Sequence, residues 1–153
     1  MPTGIFNKLI ISDTSCLIAL TNSNRLDILY RLCHSIIITP EVAAEYGEPL
    51  PEWIQVLTVK DASKTQSIHT FLGLGESSAI ALALETENAL VLLDDKKARR
   101  YAKNIGLEIM GILGLLIQAN RMGLIENVDE IAADLQAVDF RLPANASQLI
   151  NDK

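Results

Sequence analysis

The sequence predicts an α/β fold in which helices cover both faces of a mostly parallel sheet. Three apolar segments have the length and the β-branched content of buried strands: KLIIS at 8–12, SIIIT at 35–39 and ALVLLD at 89–94. Segments with helical periodicity separate them, and strands that alternate with helices typically form parallel sheets. The composition, 49% hydrophobic but only 5% aromatic, fits inner strands that are covered on both faces.

Weaker patterns extend this plan. LEIMG at 107–111 indicates a short strand and IQVLTV at 54–59 an edge strand. Five helices are predicted: 40–46 with a stop at Gly47, 75–88 with one apolar face, 95–106 with Gly106 as its C-cap, and two more near 112–122 and 127–137. The 153 residues fit a single domain over 1–153, with a core at about 8–143 and a C-terminal tail at 144–153. A short helix over a sheet edge is expected within residues 140–153.

Charge and cysteine content narrow the function classes. The net charge of −6 argues against a broadly basic surface for nucleic acid, although metal-binding carboxylates would contribute to the same sum. Cys16 and Cys33 form no CxxC pair, so neither a disulfide framework nor a zinc site is indicated. Lys8 and Asp13 interrupt the N-terminal apolar stretch, and the apolar segment 109–119 is too short to span a bilayer. We therefore expect a soluble, cytoplasmic domain.

Carboxylates follow two of the predicted strands where each strand ends. Asp13 comes after the first strand, and Asp94 and Asp95 come after ALVLL. Ligands bind at this carboxyl edge of open parallel sheets. Glu45 and Glu76, on predicted helices, are expected to join them there. Each acid also has a purely structural explanation: an N-cap for Asp13, a helix-dipole contact for Glu76, a turn and cap with one member solvated for the aspartate pair, and plain surface for Glu45.

Grouped carboxylates would raise one another's pKa unless a cation neutralised them. Because no His or Cys accompanies these acids, the oxygen ligands favour Mg²⁺ or Mn²⁺. Such ions can orient a water and stabilise charge on a phosphodiester under in-line attack. The predicted helix 95–106 adds cations that could hold phosphates, although an ordinary solvated helix face is an equal alternative. These cations are Lys96, Arg99, Arg100 and Lys103.

Four motifs in order resemble the PIN-domain family: DTS at 13–15, the acid in PEVAAEYG, GLGESSAIALA, and LLDDKKARRYA. The resemblance is closer to small stand-alone PIN proteins related to VapC-type toxin ribonucleases, since GILGLLIQANRMGLI follows at 111–125. It covers about residues 8–143.

The resemblance implies a three-layer α/β/α sandwich and a Mg²⁺- or Mn²⁺-dependent ribonuclease. It also implies RNA as substrate, an antitoxin protein as partner and a homodimer or higher homo-oligomer. The four acids of the family's site fall on Asp13, Glu45, Glu76 and Asp95, with Asp94 as the close alternative to the last and as a further metal ligand. Thr14 or Ser15 would support Asp13 by a hydroxyl contact. GLG at 73–75 lacks P-loop spacing and is expected to let the chain turn tightly into the helix of Glu76.

Two other functions compete with the ribonuclease. A catalytically silent PIN module would keep the fold and bind RNA or protein. A phosphoacceptor receiver domain also groups acids with Mg²⁺ at a sheet edge, but this chain places its paired acids late and has no clear Lys after a final strand. Metal binding separates the silent module from the enzyme, and phosphorylation by small phosphodonors separates the receiver from both.

Overall fold

The computed structural model describes residues 7–152, and five strands within them form one parallel sheet. The strands are β1 (Leu9–Ser12), β2 (Ile36–Ile38), β3 (Ile54–Val56), β4 (Ala89–Leu92) and β5 (Glu108–Met110), in the order β3-β2-β1-β4-β5. The predicted parallel sheet is confirmed, including β3 as an edge strand and the short β5.

Nine helices in the described residues connect and flank these strands. They are α1 (Thr14–Asn22), α2 (Leu26–Cys33), α3 (Pro40–Tyr46), α4 (Ala62–His69), α5 (Leu74–Leu84), α6 (Lys96–Asn104), α7 (Ile112–Arg121), α8 (Val128–Ala137) and α9 (Ala146–Asn151). Within residues 7–152, no helix has the length and apolar character needed to cross a bilayer.

Alternating strand residues build a core on each face of the sheet. Ile10 and Leu92 contribute to one cluster, which also takes buried side chains from α1, α2, α7 and α8. Ile11 and Val91 point to the other face, where α4, α5 and α6 supply the remaining side chains. Because both faces are covered, the inner strands β1, β2 and β4 are short, mostly apolar runs without polar alternation, whereas the edge strands β3 and β5 each include a polar residue. The three-layer α/β/α sandwich is therefore confirmed.

The helices differ from their predictions in a few places. α5 ends at Leu84, and it buries nearly every residue from Gly75 to Ala83 rather than one face, because it lies between the sheet and the helices α3 and α4. α4 was not predicted, since its sequence is polar and only Thr65 and Ile68 are buried. α9 packs on α7 and α8 and not over a sheet edge.

The central strands bring the sequence-predicted acids together. β1 pairs with β4 in a register that places Ser12 opposite Leu92, and the Asp13 backbone N–H donates to the Leu92 carbonyl (3.1 Å). Asp13 and Asp94 therefore leave neighbouring strands at the same edge. The strand order also reverses between β1 and β4: the chain continues from β1 to β2 and β3 on one side, and β4 and β5 lie on the other side. A crevice forms at such a point in open α/β sheets.

Candidate functional site at the carboxyl edge of the sheet

Asp13 is the most deeply buried acid of the site. Its side chain has no solvent exposure, and as N-cap of α1 its Oδ1 accepts a hydrogen bond from the Cys16 backbone N–H (2.9 Å). Its Oδ2 is buried and has no hydrogen-bond partner among the described residues. A buried carboxylate oxygen without a partner is energetically costly, so this atom calls for a proton or a cation.

Asp94 and Asp95 follow β4 but occupy different positions. Asp94 is half-buried, and its Oδ1 accepts from the backbone N–H of Ile112, the first residue of α7 (3.4 Å). Asp95 is exposed and caps α6, where its Oδ2 accepts from the Ala98 backbone N–H (3.0 Å). Asp94 is therefore the member of the pair that faces inward, towards Asp13.

Glu76 likewise accepts a backbone N–H at a helix start, in the first turn of α5. Its Oε1 accepts from the backbone N–H of Gly73, the N-cap of that helix (3.3 Å). The structural explanations considered for Asp13, Glu76, Asp94 and Asp95 thus hold, but each accounts for one oxygen only. In residues 7–152, the second oxygen of each carboxylate accepts no hydrogen bond from protein. Four helix N-termini therefore fix four carboxylates and leave four oxygens free.

Glu45, near the end of α3, is bound differently. Its Oε1 accepts from the Thr14 hydroxyl (2.5 Å) and its Oε2 accepts from the Gly75 backbone N–H (3.2 Å). The expectation that Thr14 supports Asp13 directly is therefore corrected: the Thr14 hydroxyl serves Glu45, because α3 brings that carboxylate within reach. Ser15 is exposed and makes no hydroxyl contact with Asp13.

Gly75 allows this contact. A Cβ at this position would collide with Glu45 Oε1 and lie 2.7 Å from Thr14 Oγ1. Neither Gly73 nor Gly75 has a positive φ, so the predicted tight turn into α5 does not depend on the backbone conformations that only glycine adopts readily. The glycine is required by the close approach of two side chains. The sequence alone could not show this role of Gly75, because it depends on which helices pack against α5.

The acids influence one another electrostatically. The pKa of Asp13 is raised to about 7, chiefly by burial and to a lesser degree by the charges of Glu76 and Asp94, against the opposing Cys16 hydrogen bonds. Burial, followed by the charge of Asp95, raises the pKa of Glu76. Burial also raises the pKa of Asp94, while the Ile112 N–H and Arg99 act in the opposite direction. The site is therefore short of positive charge in the absence of a cation.

The donor chemistry fits a hard divalent cation. Every free donor is a carboxylate oxygen, and Asp13 Oδ2 is a buried oxygen that a cation would satisfy. Across residues 7–152, no three His, Cys, Asp or Glu side chains already stand close enough together to form a finished ion cage. Ion binding would thus draw the free oxygens inward from their capped positions.

The four cations predicted on α6 lie at different distances from the acids. Arg99 lies beside Asp94, and both approach Gly111 so closely that a Cβ there would lie 3.1 Å from Arg99 Nη1 and 3.3 Å from Asp94 Oδ1. Lys96 lines an open cleft of about 620 Å³ next to the acids. The remaining lining residues of this acidic cleft are Ser15, Asp94, Asp95, Asp139, Phe140 and Arg141. Arg100 faces a different hollow, and Lys103 lies about 12 Å along the helix from Asp95.

A family model described as PIN domain matches residues 9–153. The chain belongs to the PIN-domain family. No curated protein and no solved structure matches the sequence. PIN domains are generally nucleases, they usually use divalent metals, and RNA is the substrate that membership suggests. Membership therefore supports nuclease-type chemistry for the carboxyl edge described above.

Proposed function

We propose that this PIN protein is a Mg²⁺- or Mn²⁺-dependent endoribonuclease that hydrolyses RNA phosphodiesters. The observation that carries the proposal is Asp13 Oδ2, a fully buried carboxylate oxygen with no hydrogen-bond partner in residues 7–152, at the sheet edge where the free oxygens of three other capping acids also lie. A structural cap needs neither the burial nor the second acid. A bound cation would offset both the burial of the carboxylate and its repulsion by the neighbouring acid.

Asp13, Glu76 and Asp94 would hold the metal. The charges of Glu76 and Asp94 both raise the pKa of Asp13, and this influence supports grouping the three acids. Asp95 is exposed and contributes from the rim, so the geometry favours Asp94 as the fourth family acid. A bound Mg²⁺ or Mn²⁺ would make a water more acidic and offset the charge of the phosphate.

The chain's own residues would orient the substrate around this centre. Glu45, held by Thr14 and Gly75, is the acid best fixed in place to accept a proton at the rim. Lys96 and Arg99, both near the aspartate pair, would contact phosphate oxygens, and the charge of Arg99 also acts to lower the pKa of Asp94. Arg100 and Lys103 would contact the strand farther along α6.

Resemblance of the motifs to small stand-alone PIN toxins supports the finer parts of the proposal. These are a role as the toxin of a toxin–antitoxin pair, an antitoxin protein as partner, a homodimer or higher homo-oligomer, and a cytoplasmic location. The contrasting function is a silent PIN module that binds RNA without cleaving it, which the lack of a finished ion cage in residues 7–152 favours.

The test is calorimetric titration of Mg²⁺ and Mn²⁺ into the native chain and into Asp13→Asn, with both assayed on one structured RNA with and without EDTA. We expect the native chain to bind metal and cleave in an EDTA-sensitive manner, and Asp13→Asn to lose both. Asp27→Asn, an exposed acid in the first turn of α2, is the matched control and should behave as the native chain. Metal binding without cleavage would favour the silent module. No binding at millimolar metal would rule out the proposed metal-dependent enzyme.

A further inference from the structure

A shallow hollow of about 330 Å³ lies between α6 and the connection from α4 to α5. It is lined by Phe71, Leu72, Lys97, Arg100, Tyr101 and Asn104, and is called the aromatic hollow below. Phe71 and Tyr101 form its walls, with ring centroids 6.2 Å apart and planes inclined by 30°. None of the roles proposed for the carboxyl edge uses these rings.

Phe71 is held in an exposed position by the backbone around it. With 57% of its surface accessible, it is the most exposed large hydrophobic side chain in the described residues. Its backbone N–H and that of Leu72 both donate to the Ile68 carbonyl (2.9 and 3.1 Å), and the Leu72 side chain is buried. The fold thus presents the ring to solvent, at the cost of leaving apolar surface in water.

The cations of the hollow are available to a ligand. Among the residues that the structure describes, neither Lys97 nor Arg100 forms a salt bridge. Both stand beside the ring pair in a chain whose net charge is −6. An aromatic pair flanked by two free cations complements a base and its neighbouring phosphates.

The aromatic hollow adjoins the carboxyl edge through two short paths. Lys97 is in the first turn of α6, directly after the Asp95 cap, and Phe71 precedes by two residues the N-cap of α5, the helix that carries Glu76. A strand that crosses the start of α6 between these acids would next meet the hollow.

We propose that the aromatic hollow binds a nucleotide of single-stranded RNA beside the cleavage site, with its base against Phe71 and Tyr101 and its phosphates on Lys97 and Arg100. This inference rests on the proposed function. It specifies that the RNA substrate is single-stranded where it contacts the aromatic hollow. A duplex would keep its bases stacked inward, so the hollow selects unpaired strands. Stacking accepts any base, and the contact therefore adds affinity without strong sequence preference.

The experiment measures binding of a fluorescent single-stranded RNA by anisotropy in EDTA, where neither metal nor cleavage contributes. Phe71→Leu removes the ring but keeps apolar volume, and Phe71→Trp keeps a ring. Tyr30→Leu is the matched control, because Tyr30 is also exposed but belongs to α2 on the opposite face of the sheet. We expect Phe71→Leu to weaken binding roughly fivefold or more, with Phe71→Trp and Tyr30→Leu near the native chain.

Two further readouts sharpen the result. Arg100→Gln should reduce the slope of log affinity against log salt by about 0.7, the value for one phosphate contact on a single strand. Arg121→Gln, in the last turn of α7, should leave that slope unchanged. A 2-aminopurine placed at successive positions should be quenched at one position by the native chain and at none by Phe71→Leu.

The proposal is overturned if Phe71→Leu binds as the native chain does, if Tyr30→Leu weakens binding equally, or if the native chain does not bind RNA. Unchanged RNA affinity would leave the hollow as a surface for a partner protein. Failure of the proposed function has a different signature: hollow-dependent binding would persist in EDTA while added Mg²⁺ or Mn²⁺ gave no cleavage.

Discussion

Asp13 and Asp95 occupy equivalent local positions and have different environments. Each follows a central strand, each caps a helix, and each accepts from the backbone N–H three residues later, at 2.9 and 3.0 Å. Asp13 is fully buried with one oxygen unpartnered in the described structure, whereas Asp95 is exposed. Capping therefore explains why an aspartate stands at each position, and burial distinguishes the one that we propose as a cation ligand.

The largest expected effect is that of Asp13→Asn. Asparagine caps a helix as well as aspartate, so α1 should survive, but the anionic oxygen is lost. Metal affinity should fall by more than the 10- to 100-fold, roughly, that follows loss of an outer-shell partner. Calorimetry checks this, with far-ultraviolet circular dichroism to confirm the fold. An unaltered affinity would erase the distinction between the two aspartates.

The second prediction concerns stability in EDTA. The folded pKa of Asp13, about 7, exceeds the ordinary aspartate value of 3.8, so the folded state holds this proton more tightly than the unfolded state. The contribution to stability is complete below about pH 4 and is lost as pH rises to 7, by at most about 1.4 kcal/mol per pH unit. Urea unfolding at pH 5 and pH 8 should show the native chain weakening more than Asp13→Asn. Equal losses in the two chains would count against a buried, unpaired Asp13.

Gly75→Ala tests the acid that is bound at both oxygens. The new methyl group would displace the Glu45 carboxylate from Thr14, whereas alanine favours the helix by up to about 1 kcal/mol. We expect cleavage to fall by about tenfold or more with little change in melting temperature. Gly73→Ala is the control, since its Cβ would meet only Glu76 Oε1, at 3.4 Å. A loss of stability in place of activity would make Gly75 a packing residue.

Thr14→Val should have a smaller effect. It keeps the shape of the side chain but removes the hydroxyl that donates to Glu45 Oε1, and the Gly75 N–H still holds the other oxygen. Cleavage should decrease by a few-fold, mainly in kcat, because the carboxylate remains near its place. Ser15→Ala, at an exposed hydroxyl in the acidic cleft, is the comparison. Equal losses in the two variants would mean that the Thr14 hydroxyl has no special part.

Asp95→Asn should change least. The cap of α6 is retained and the residue is exposed, so we expect stability within about 0.5 kcal/mol of the native chain and only a modest loss of metal affinity. Chemical denaturation and the same calorimetric titration measure both quantities. If this variant lost metal as completely as Asp13→Asn, burial would not be the property that separates the two caps.

Much of this arrangement could be predicted from residue patterns. Apolar strands that end in acids place Asp13 and Asp94 at one edge because parallel strands share a direction, and the structure confirms that sheet. The pattern could not show that α5 is buried all round, since helix periodicity is uninformative when every face is covered. Nor could it show Gly75 against Glu45 or the Phe71–Tyr101 pair, which depend on tertiary contacts between helices distant in sequence.

The dual use of the capping carboxylates also has a consequence for descent. Because asparagine satisfies a helix start as well as aspartate does, one substitution at Asp13 would remove the proposed cation ligand and leave the chain able to fold. Selection for folding alone would not oppose that change. A lineage of this domain could thus pass from nuclease to non-cleaving RNA binder in a single step, with the aromatic hollow intact.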